Sequence, residues 1–92
     1  MSWQLLQTPE FARSIKKLTK QQKQALDGAL RSLLAEPLCG ELKVGDLAGV
    51  RVYKFHLLKQ PVLLAYEVEE GRLMLYLLKL GSHENFYRDL KR

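Results

Sequence analysis

Residues 62–68 form a nearly continuous apolar run, Val-Leu-Leu-Ala-Tyr-Glu-Val, in which only Glu67 is charged. A half-exposed strand would alternate apolar and polar residues, and this run does not, which is typical of a strand covered on both faces. A strand of that kind lies inside a sheet, with a neighbour on each edge. The chain is therefore constrained to a layered fold built around this segment.

Three further segments have the character of strands. Residues 50–58 are rich in Val, Tyr and Phe without a helical period, and residues 73–80 are again apolar. The Glu-Glu-Gly sequence at residues 69–71 predicts a tight hairpin turn between the last two strands. Residues 3–7 suit a short first strand. Residues 38–49 contain glycines at irregular spacing and are predicted to form a loop.

Two helices are predicted between the first strand and this loop. Thr8 and Thr19 are candidate N-caps, each at the start of a segment whose apolar residues repeat at helical spacing. Pro9 suits the first position of the first helix, and Pro37 ends the second. The basic side chains lie off the apolar stripe: Arg13, Lys16, Lys17, Lys20 and Lys23. We expect a helical hairpin with one apolar face and one basic face.

The order of these elements predicts an α+β fold in a single domain, residues 1–92. A strand is followed by two helices, a three-stranded meander and a short closing helix over residues 83–90, with Ser82 as its cap. Strands joined by tight turns pair antiparallel. We therefore expect an antiparallel sheet of about four strands with the helical hairpin packed on one face.

Composition narrows the possible partners and the compartment. The chain has 15 Lys and Arg against 10 Asp and Glu, a net charge of +5 that favours polyanions or an acidic protein partner. Cys39 is the single cysteine, which excludes an internal disulfide and indicates a reducing compartment. No apolar run approaches the ~18 residues of a membrane span. The first residues do not resemble a signal peptide, so we expect a cytoplasmic protein.

Two histidines and a lysine are the candidates for acid–base chemistry. Strand alternation places Lys54 and His56 on one face, about 7 Å apart. His83 follows the last strand, so an interior position for that strand would bring it to the rim of the same face. One imidazole would deprotonate a ribose 2′-hydroxyl, a second group would protonate the leaving 5′-oxygen, and a cation would stabilise charge on phosphorus. The pattern suits RNA cleavage without a metal.

Structural roles are the alternative for the same residues. A lone histidine is usually surface or capping material, and a lysine on an exposed strand face serves solubility. The two histidines and Cys39 do not show the ligand spacing of a zinc site, and residues 40–49 lack the phosphate-binding loop pattern. Neither a metal nor a cofactor is expected.

The C-terminal half resembles the RelE/ParE superfamily of toxins. The resemblance is carried by residues 45–55 (GDLAGVRVYKF), 64–68 (LAYEV) and 80–87 (LGSHENFY). It extends over nearly the whole chain, including the order of elements. It implies a RelE-like fold and the toxin of a type II toxin–antitoxin system, with a cognate antitoxin as partner.

The resemblance also implies roles for single residues. Members of the RelE branch cut mRNA in the ribosomal A site and carry basic residues on the strand before the central one, where Lys54 and His56 stand. YafQ-like members have a histidine after the glycine and small residue that follow the last strand, and an aromatic residue four positions later, matched by His83 and Tyr87. His83 would act as base or acid with His56 as its partner, Lys54 would stabilise the phosphate, and Tyr87 would stack on a base or assist proton transfer. The RNA-binding candidates are Arg51, Arg88 and Lys79.

One departure from the RelE pattern keeps other functions open. RelE carries a catalytic arginine at the start of the central strand, and Leu63 stands there in this sequence, leaving Arg51 or Arg88 to supply the cation. The first hypothesis is a ribosome-dependent mRNA endoribonuclease. The second is a ParE-type toxin that inhibits DNA gyrase without catalysis, and the third is an RNA- or protein-binding module. For either toxin we expect an acidic, partly helical antitoxin along the groove beside the helices.

Overall fold

A computed structural model describes residues 3–82 of the chain. Its elements are β1 (Gln4–Gln7), α1 (Pro9–Lys16), α2 (Lys20–Ala35), β2 (Glu41–Leu42), β3 (Arg51–Leu57), β4 (Gln60–Glu69) and β5 (Met74–Gly81). Short 3₁₀ turns lie at Gly45–Leu47 and Glu70–Arg72. The predicted closing helix, residues 83–90, lies outside the described residues.

The strands form one five-stranded sheet in the order β1-β5-β4-β3-β2. The strands β2 to β5 form an antiparallel meander, and β1 pairs parallel to β5. The predicted α+β, RelE-like fold is confirmed, whereas the sheet has one more strand than expected and is mixed rather than purely antiparallel. Tight turns set the direction of the meander, but two helices and three strands lie between β1 and its partner β5, so no turn sets the direction of β1. The extra strand, β2, consists of Glu41–Leu42 within the predicted loop.

Both helices begin at the predicted threonines. The Thr8 hydroxyl accepts a hydrogen bond from the Phe11 amide at 3.1 Å, and Pro9 occupies the first helical position. The Thr19 hydroxyl accepts a hydrogen bond from the backbone amide of Gln22. The side chain of Gln22 in turn accepts one from the backbone amide of Thr19 at 2.9 Å, which completes a capping box. These caps fix the start of each helix: Thr8 at the junction of β1 with α1, and Thr19 at the junction of α1 with α2.

The main core lies between the helices and one face of the sheet. Phe11, Leu26 and Leu33 of the helices are buried against Leu64 and Tyr66 of β4 and further residues of β3 and β5. The alternation of β4 places Val62, Leu64 and Tyr66 on this helix face, and Leu63 and Ala65 on the opposite face, which we call the open face. All five residues from 62 to 66 are buried. The prediction that β4 is a central strand covered on both sides is confirmed.

Tyr66 ties the chain after α2 to the centre of the sheet. Its side chain is fully buried, and its hydroxyl donates to the Pro37 carbonyl at 2.8 Å and accepts from the Gly40 amide at 2.9 Å. A Cβ at Gly40 would lie 2.5 Å from the Tyr66 hydroxyl oxygen, so only glycine fits. Burial raises the pKa of Tyr66 above its ordinary value, and the Gly40 amide opposes this shift. The phenol is therefore neutral in the folded protein at physiological pH.

Removing this hydroxyl tests its structural role. Tyr66→Phe leaves the Gly40 amide unpaired, so we expect the free energy of unfolding to fall by about 1–3 kcal/mol. Gly40→Ala introduces a clash at the same place and costs about 1–3 kcal/mol. Urea unfolding measures both, and the two losses should not add in the double variant, because one contact is removed twice. Tyr53→Phe is the control, since no hydrogen bond to the Tyr53 hydroxyl is found among the described residues.

The pH dependence gives the same test a second readout. The Tyr66 pKa is raised on folding, so its stabilising effect is complete below the unfolded value of 10.0 and is lost as pH rises through the folded pKa. The wild-type protein should therefore lose more stability above pH 10 than Tyr66→Phe does. Equal losses in the two proteins would contradict a buried, neutral phenol.

The β4–β5 connection contains a leucine in the left-handed region. Leu73 follows the turn Glu70–Arg72 with φ 54° and ψ 53°, and its amide donates to the Glu70 carbonyl at 3.2 Å. This conformation costs a side chain with a Cβ about 1–2 kcal/mol. The Leu73 carbonyl also accepts from the Gln4 amide at 2.9 Å, at the first residue of β1. Pairing on both sides holds the strained residue in place.

A pair of variants isolates this backbone strain. Leu73→Gly and Leu73→Ala lose nearly the same side chain, but only glycine adopts a positive φ freely. We expect Leu73→Gly to be the more stable of the two by about 1 kcal/mol, the reverse of the usual order. Thermal unfolding of both proteins measures the difference, and a more stable alanine variant would show that the turn is not left-handed.

Candidate functional site

Lys54 and His56 lie side by side on the open face of the sheet. Both belong to β3, both are exposed, and they alternate with Tyr53 and Phe55, which pack on the helix face. Two residues along a strand span about 7 Å, so one phosphodiester group can reach both side chains. Lys54 and His56 thus lie on the same face of β3, as strand alternation predicts.

The strand register aligns these residues with the centre of the sheet. Lys54 pairs with Leu63 of β4, and Leu63 pairs with Gly81 of β5. His56 pairs with Pro61, one residue after the start of β4. Lys54, Leu63 and Gly81 thus form one row across three strands. Gly81 lies about 10 Å from Lys54, two strand spacings away.

A second apolar cluster covers part of the open face. Leu47 of the Gly45–Leu47 turn packs with Val50, Val52, Leu63 and Ala65, and Leu78 lies against them. The cluster ends beside Lys54 and His56, which remain in solvent. Leu63, which the sequence resemblance aligns with the RelE arginine, is 3% exposed and lies in an apolar environment. The open face therefore has a buried apolar half under the turn and a solvent-exposed half that carries Lys54 and His56.

Arg51 lies on the other face of β3 from Lys54 and His56. Its guanidinium donates to the Leu38 carbonyl at 3.0 Å and to the Gly40 carbonyl at 2.8 Å. It thus fastens the segment that Tyr66 also holds. An RNA-binding role for Arg51 stays a prediction, and it would require one guanidinium to serve both purposes.

Lys79 is engaged in an ion pair. By register it pairs with Ala65, on the open face, but its ammonium lies 2.6 Å from a carboxylate oxygen of Glu10, and its side chain is 13% exposed. The pair joins the first turn of α1 to β5, next to the hydrogen bond from the Thr8 hydroxyl to the Leu78 carbonyl. Its RNA-binding role also stays a prediction. The sequence gives no sign of this contact, because 69 positions separate the partners.

The other predicted site residues, His83, Tyr87 and Arg88, lie outside the described residues. Within residues 3–82, no group of three or more His, Cys, Asp and Glu side chains has the geometry to hold a metal ion. Over the same residues, no helix has the length and apolar character needed to cross a membrane.

A cavity that the sequence does not indicate lies at the rim of the open face. It has a volume of about 630 Å³ and is lined by α1 and the residue before it, by the Gly45–Leu47 turn and the residues after it, by Glu67 near the end of β4 and by Leu78 of β5. Its charged residues are Glu10, Arg13, Asp46 and Glu67. They come from distant parts of the chain, and no sequence motif joins them.

Comparison with known proteins gives the family. A family model described as the ParE-like toxin of type II bacterial toxin–antitoxin systems matches residues 5–91. The chain therefore belongs to this family and is a RelE/ParE superfamily toxin of a type II toxin–antitoxin system. No curated protein matches the sequence.

Solved structures share the fold at low sequence identity. A mutant of Escherichia coli toxin RelE in the free state is 16% identical, with a TM-score of 0.75, over 99% of this chain and 94% of that one. The toxin–antitoxin complex RelBE2 from Mycobacterium tuberculosis gives 18% and 0.70, over 90% and 100%. A YoeB/ParE toxin from Agrobacterium tumefaciens gives 16% and 0.67, over 87% and 98%.

The two roles of Arg51 are separable by substitution. Arg51→Gln removes two charge-assisted hydrogen bonds to carbonyls of the segment after α2, so we expect a loss of about 1–2 kcal/mol in the free energy of unfolding. Arg31→Gln, which removes an exposed cation from α2, should change it by less than about 0.5 kcal/mol. Urea unfolding measures both. If Arg51→Gln is as stable as the wild-type protein, the two hydrogen bonds are not needed for the fold, and the guanidinium is free to serve another role.

Proposed function

We propose that this toxin is a ribosome-dependent endoribonuclease that cuts mRNA. The observation that carries the proposal is the exposed pair of Lys54 and His56 on the open face, one strand away from β5, the strand that precedes His83 in sequence. These residues occupy the places that the RelE/ParE resemblance gives to the basic residues of the RelE branch. A lysine and an imidazole within reach of one phosphate are a set suited to metal-free transesterification.

The proposed reaction uses the ribose 2′-hydroxyl as nucleophile. One histidine removes its proton, the 2′-oxygen bonds to the adjacent phosphorus, and the bond from phosphorus to the 5′-oxygen breaks. The other histidine gives a proton to the 5′-oxygen, leaving a 2′,3′-cyclic phosphate and a 5′-hydroxyl. His83 and His56 share these two steps. Tyr87 stacks on a base or assists the proton transfers, and Arg88 contacts the RNA.

Lys54 is the proposed stabiliser of the transition state. The extra negative charge falls on the non-bridging oxygens of phosphorus, where a fixed cation acts most strongly. Lys54 is the direct register partner of Leu63, which stands where RelE has its arginine. A lysine ammonium from the neighbouring strand can therefore approach the space that an arginine would occupy from β4. This supports cleavage in spite of the apolar Leu63.

The second candidate is a non-enzymatic inhibitor of DNA gyrase. Two observations favour it: the matching family model is described as ParE-like, and Leu63 is buried in an apolar cluster instead of carrying a charge. In that case Lys54 and His56 would serve binding alone.

Either activity calls for a cognate antitoxin. Solved structures that share this fold include toxin–antitoxin complexes from Escherichia coli and Mycobacterium tuberculosis. An apolar groove of about 410 Å³ lies between α1, α2 and β1, with Leu5 and Leu6 partly exposed at its edge and Phe11 and Leu26 at its floor. We propose that an acidic, partly helical antitoxin segment lies along this groove.

Substitution of the three proposed catalytic residues tests the nuclease. In primer extension on a reporter mRNA, we expect new 5′ ends from the wild-type protein with programmed ribosomes and not without them. His56→Ala and His83→Ala should each slow cleavage about 10²–10⁴-fold, because each removes a general acid or base. Lys54→Ala should lower the rate, while Arg31→Ala, which removes an exposed cation far from the open face, should not.

The gyrase hypothesis predicts different outcomes in the same set of proteins. Uncut mRNA under both conditions, together with inhibition of gyrase supercoiling by wild type and His83→Ala alike, would replace the nuclease proposal. Thermal unfolding of each variant separates loss of activity from loss of fold.

A further inference from the structure

The net charge of the chain is concentrated in one short segment. Residues 13–23 contain five of the 15 lysines and arginines and none of the 10 acidic residues. The remainder of the chain therefore has ten cations and ten anions, and its formal charge is zero. The whole net charge of +5 belongs to eleven successive positions.

This basic segment runs from the last turns of α1 into the first turn of α2. Its cations are Arg13, Lys16, Lys17, Lys20 and Lys23, and all five are exposed. None of them forms an ion pair with another residue of the described range 3–82. Like charges three or four residues apart destabilise a helix by about 0.2–0.5 kcal/mol per pair. Within residues 3–82, these five cations are therefore exposed without a direct ion pair to a carboxylate.

The exposed surface of the basic segment suits phosphates better than a protein. Ile15 and Leu18 pack against the main core, and within this part of the described chain the exposed side chains are cations, Thr19 and Gln21. Protein interfaces depend on buried aromatic and apolar anchors, which are missing from this surface of residues 13–23. Nucleic-acid backbones are bound by lysine and arginine, together with hydroxyl and amide side chains.

The basic segment adjoins the end of the sheet that carries the candidate site. Lys17 lines a cavity of about 260 Å³ together with Gln60, Gly81 and Ser82. Gly81 ends the strand row that contains Lys54, and Gln60 lies beside Pro61, the register partner of His56. The cavity is also lined by Leu57, Val62 and Leu80 and so lies on the helix side of the sheet. An RNA strand that leaves the open face around the start of β4 and the end of β5 therefore meets Lys17 there.

We propose that the basic segment is a backbone track for single-stranded RNA, continuing from the Lys54–His56 face past the end of β5 and along the α1–α2 turn to Lys23. The track rests on the proposed function for its direction and its ligand. It binds phosphates without reading bases, and it sets how firmly the RNA is held rather than how the bond is cut.

The salt dependence of RNA binding measures the track directly. The probe is a short mixed-sequence 2′-O-methyl RNA, which lacks the attacking hydroxyl and stays intact. Lys17→Gln/Lys20→Gln should weaken binding for every probe sequence. If each lysine contacts one phosphate, the slope of log K against log salt becomes shallower by about 1.4. Both lysines are exposed, so the variant should keep the wild-type melting temperature.

A matched variant controls for total charge. Arg31→Gln/Arg72→Gln removes the same two charges from exposed positions outside the basic segment. We expect its slope to stay near the wild-type value. An equal change in both double variants would overturn the track, since net charge alone would then explain binding. An unchanged slope for Lys17→Gln/Lys20→Gln would overturn it as well.

The two proposals fail in different ways. A shallower slope without ribosome-dependent cleavage would retain the track and remove the nuclease. Normal cleavage with an unchanged slope would remove the track alone. If a polyglutamate peptide, and not the RNA probe, loses affinity in Lys17→Gln/Lys20→Gln, the basic segment serves an acidic protein and the track is wrong.

Discussion

The burial of β4 on both faces is the constraint on which the rest of the structure depends. A chain of 92 residues has little apolar material, and within residues 3–82 that material is divided between two layers. The helices cover one face of β4, and the short Gly45–Leu47 turn covers part of the other. Tyr66 couples the two arrangements, because its hydroxyl fixes the segment after α2 from which the chain continues to that turn. A change at this residue acts on both layers.

Partial cover is what makes the open face available for chemistry. The turn is long enough to bury Leu63 and Ala65, but Lys54 and His56 lie beyond it. A helix in its place would shield both side chains from a substrate. A bare sheet would expose the apolar residues of β4 and invite aggregation. The second apolar cluster thus lies directly beside the solvent-exposed polar side chains on the same face of the sheet.

Sequence patterns predicted the parts of the fold that rest on local chemistry. Thr8 and Thr19 predict the starts of the two helices, because capping involves residues within four positions of each other. The apolar run of β4 predicts a buried strand. The parallel pairing of β1 with β5 could not be predicted in this way. It depends on how the two helices and three strands between them pack. At the site, alternation along β3 correctly grouped Lys54 with His56. It did not indicate that Arg51 holds two carbonyls or that Lys79 pairs with Glu10, because those contacts join residues far apart in sequence.

The helical hairpin carries two surfaces of different chemistry that share a border. The apolar groove suits a protein segment, and the basic segment suits a polyanion, yet Lys23 belongs to both, since it lines the groove beside Leu26 and Leu30. If both proposals hold, an acidic antitoxin in the groove would pair with Lys23 and weaken the field along the track. The effect on RNA would be electrostatic, and it would not require the antitoxin to cover Lys54 or His56. Inhibition by that route would relax at high salt, whereas direct blockage of the open face would not, because screening acts on charges and not on steric contact.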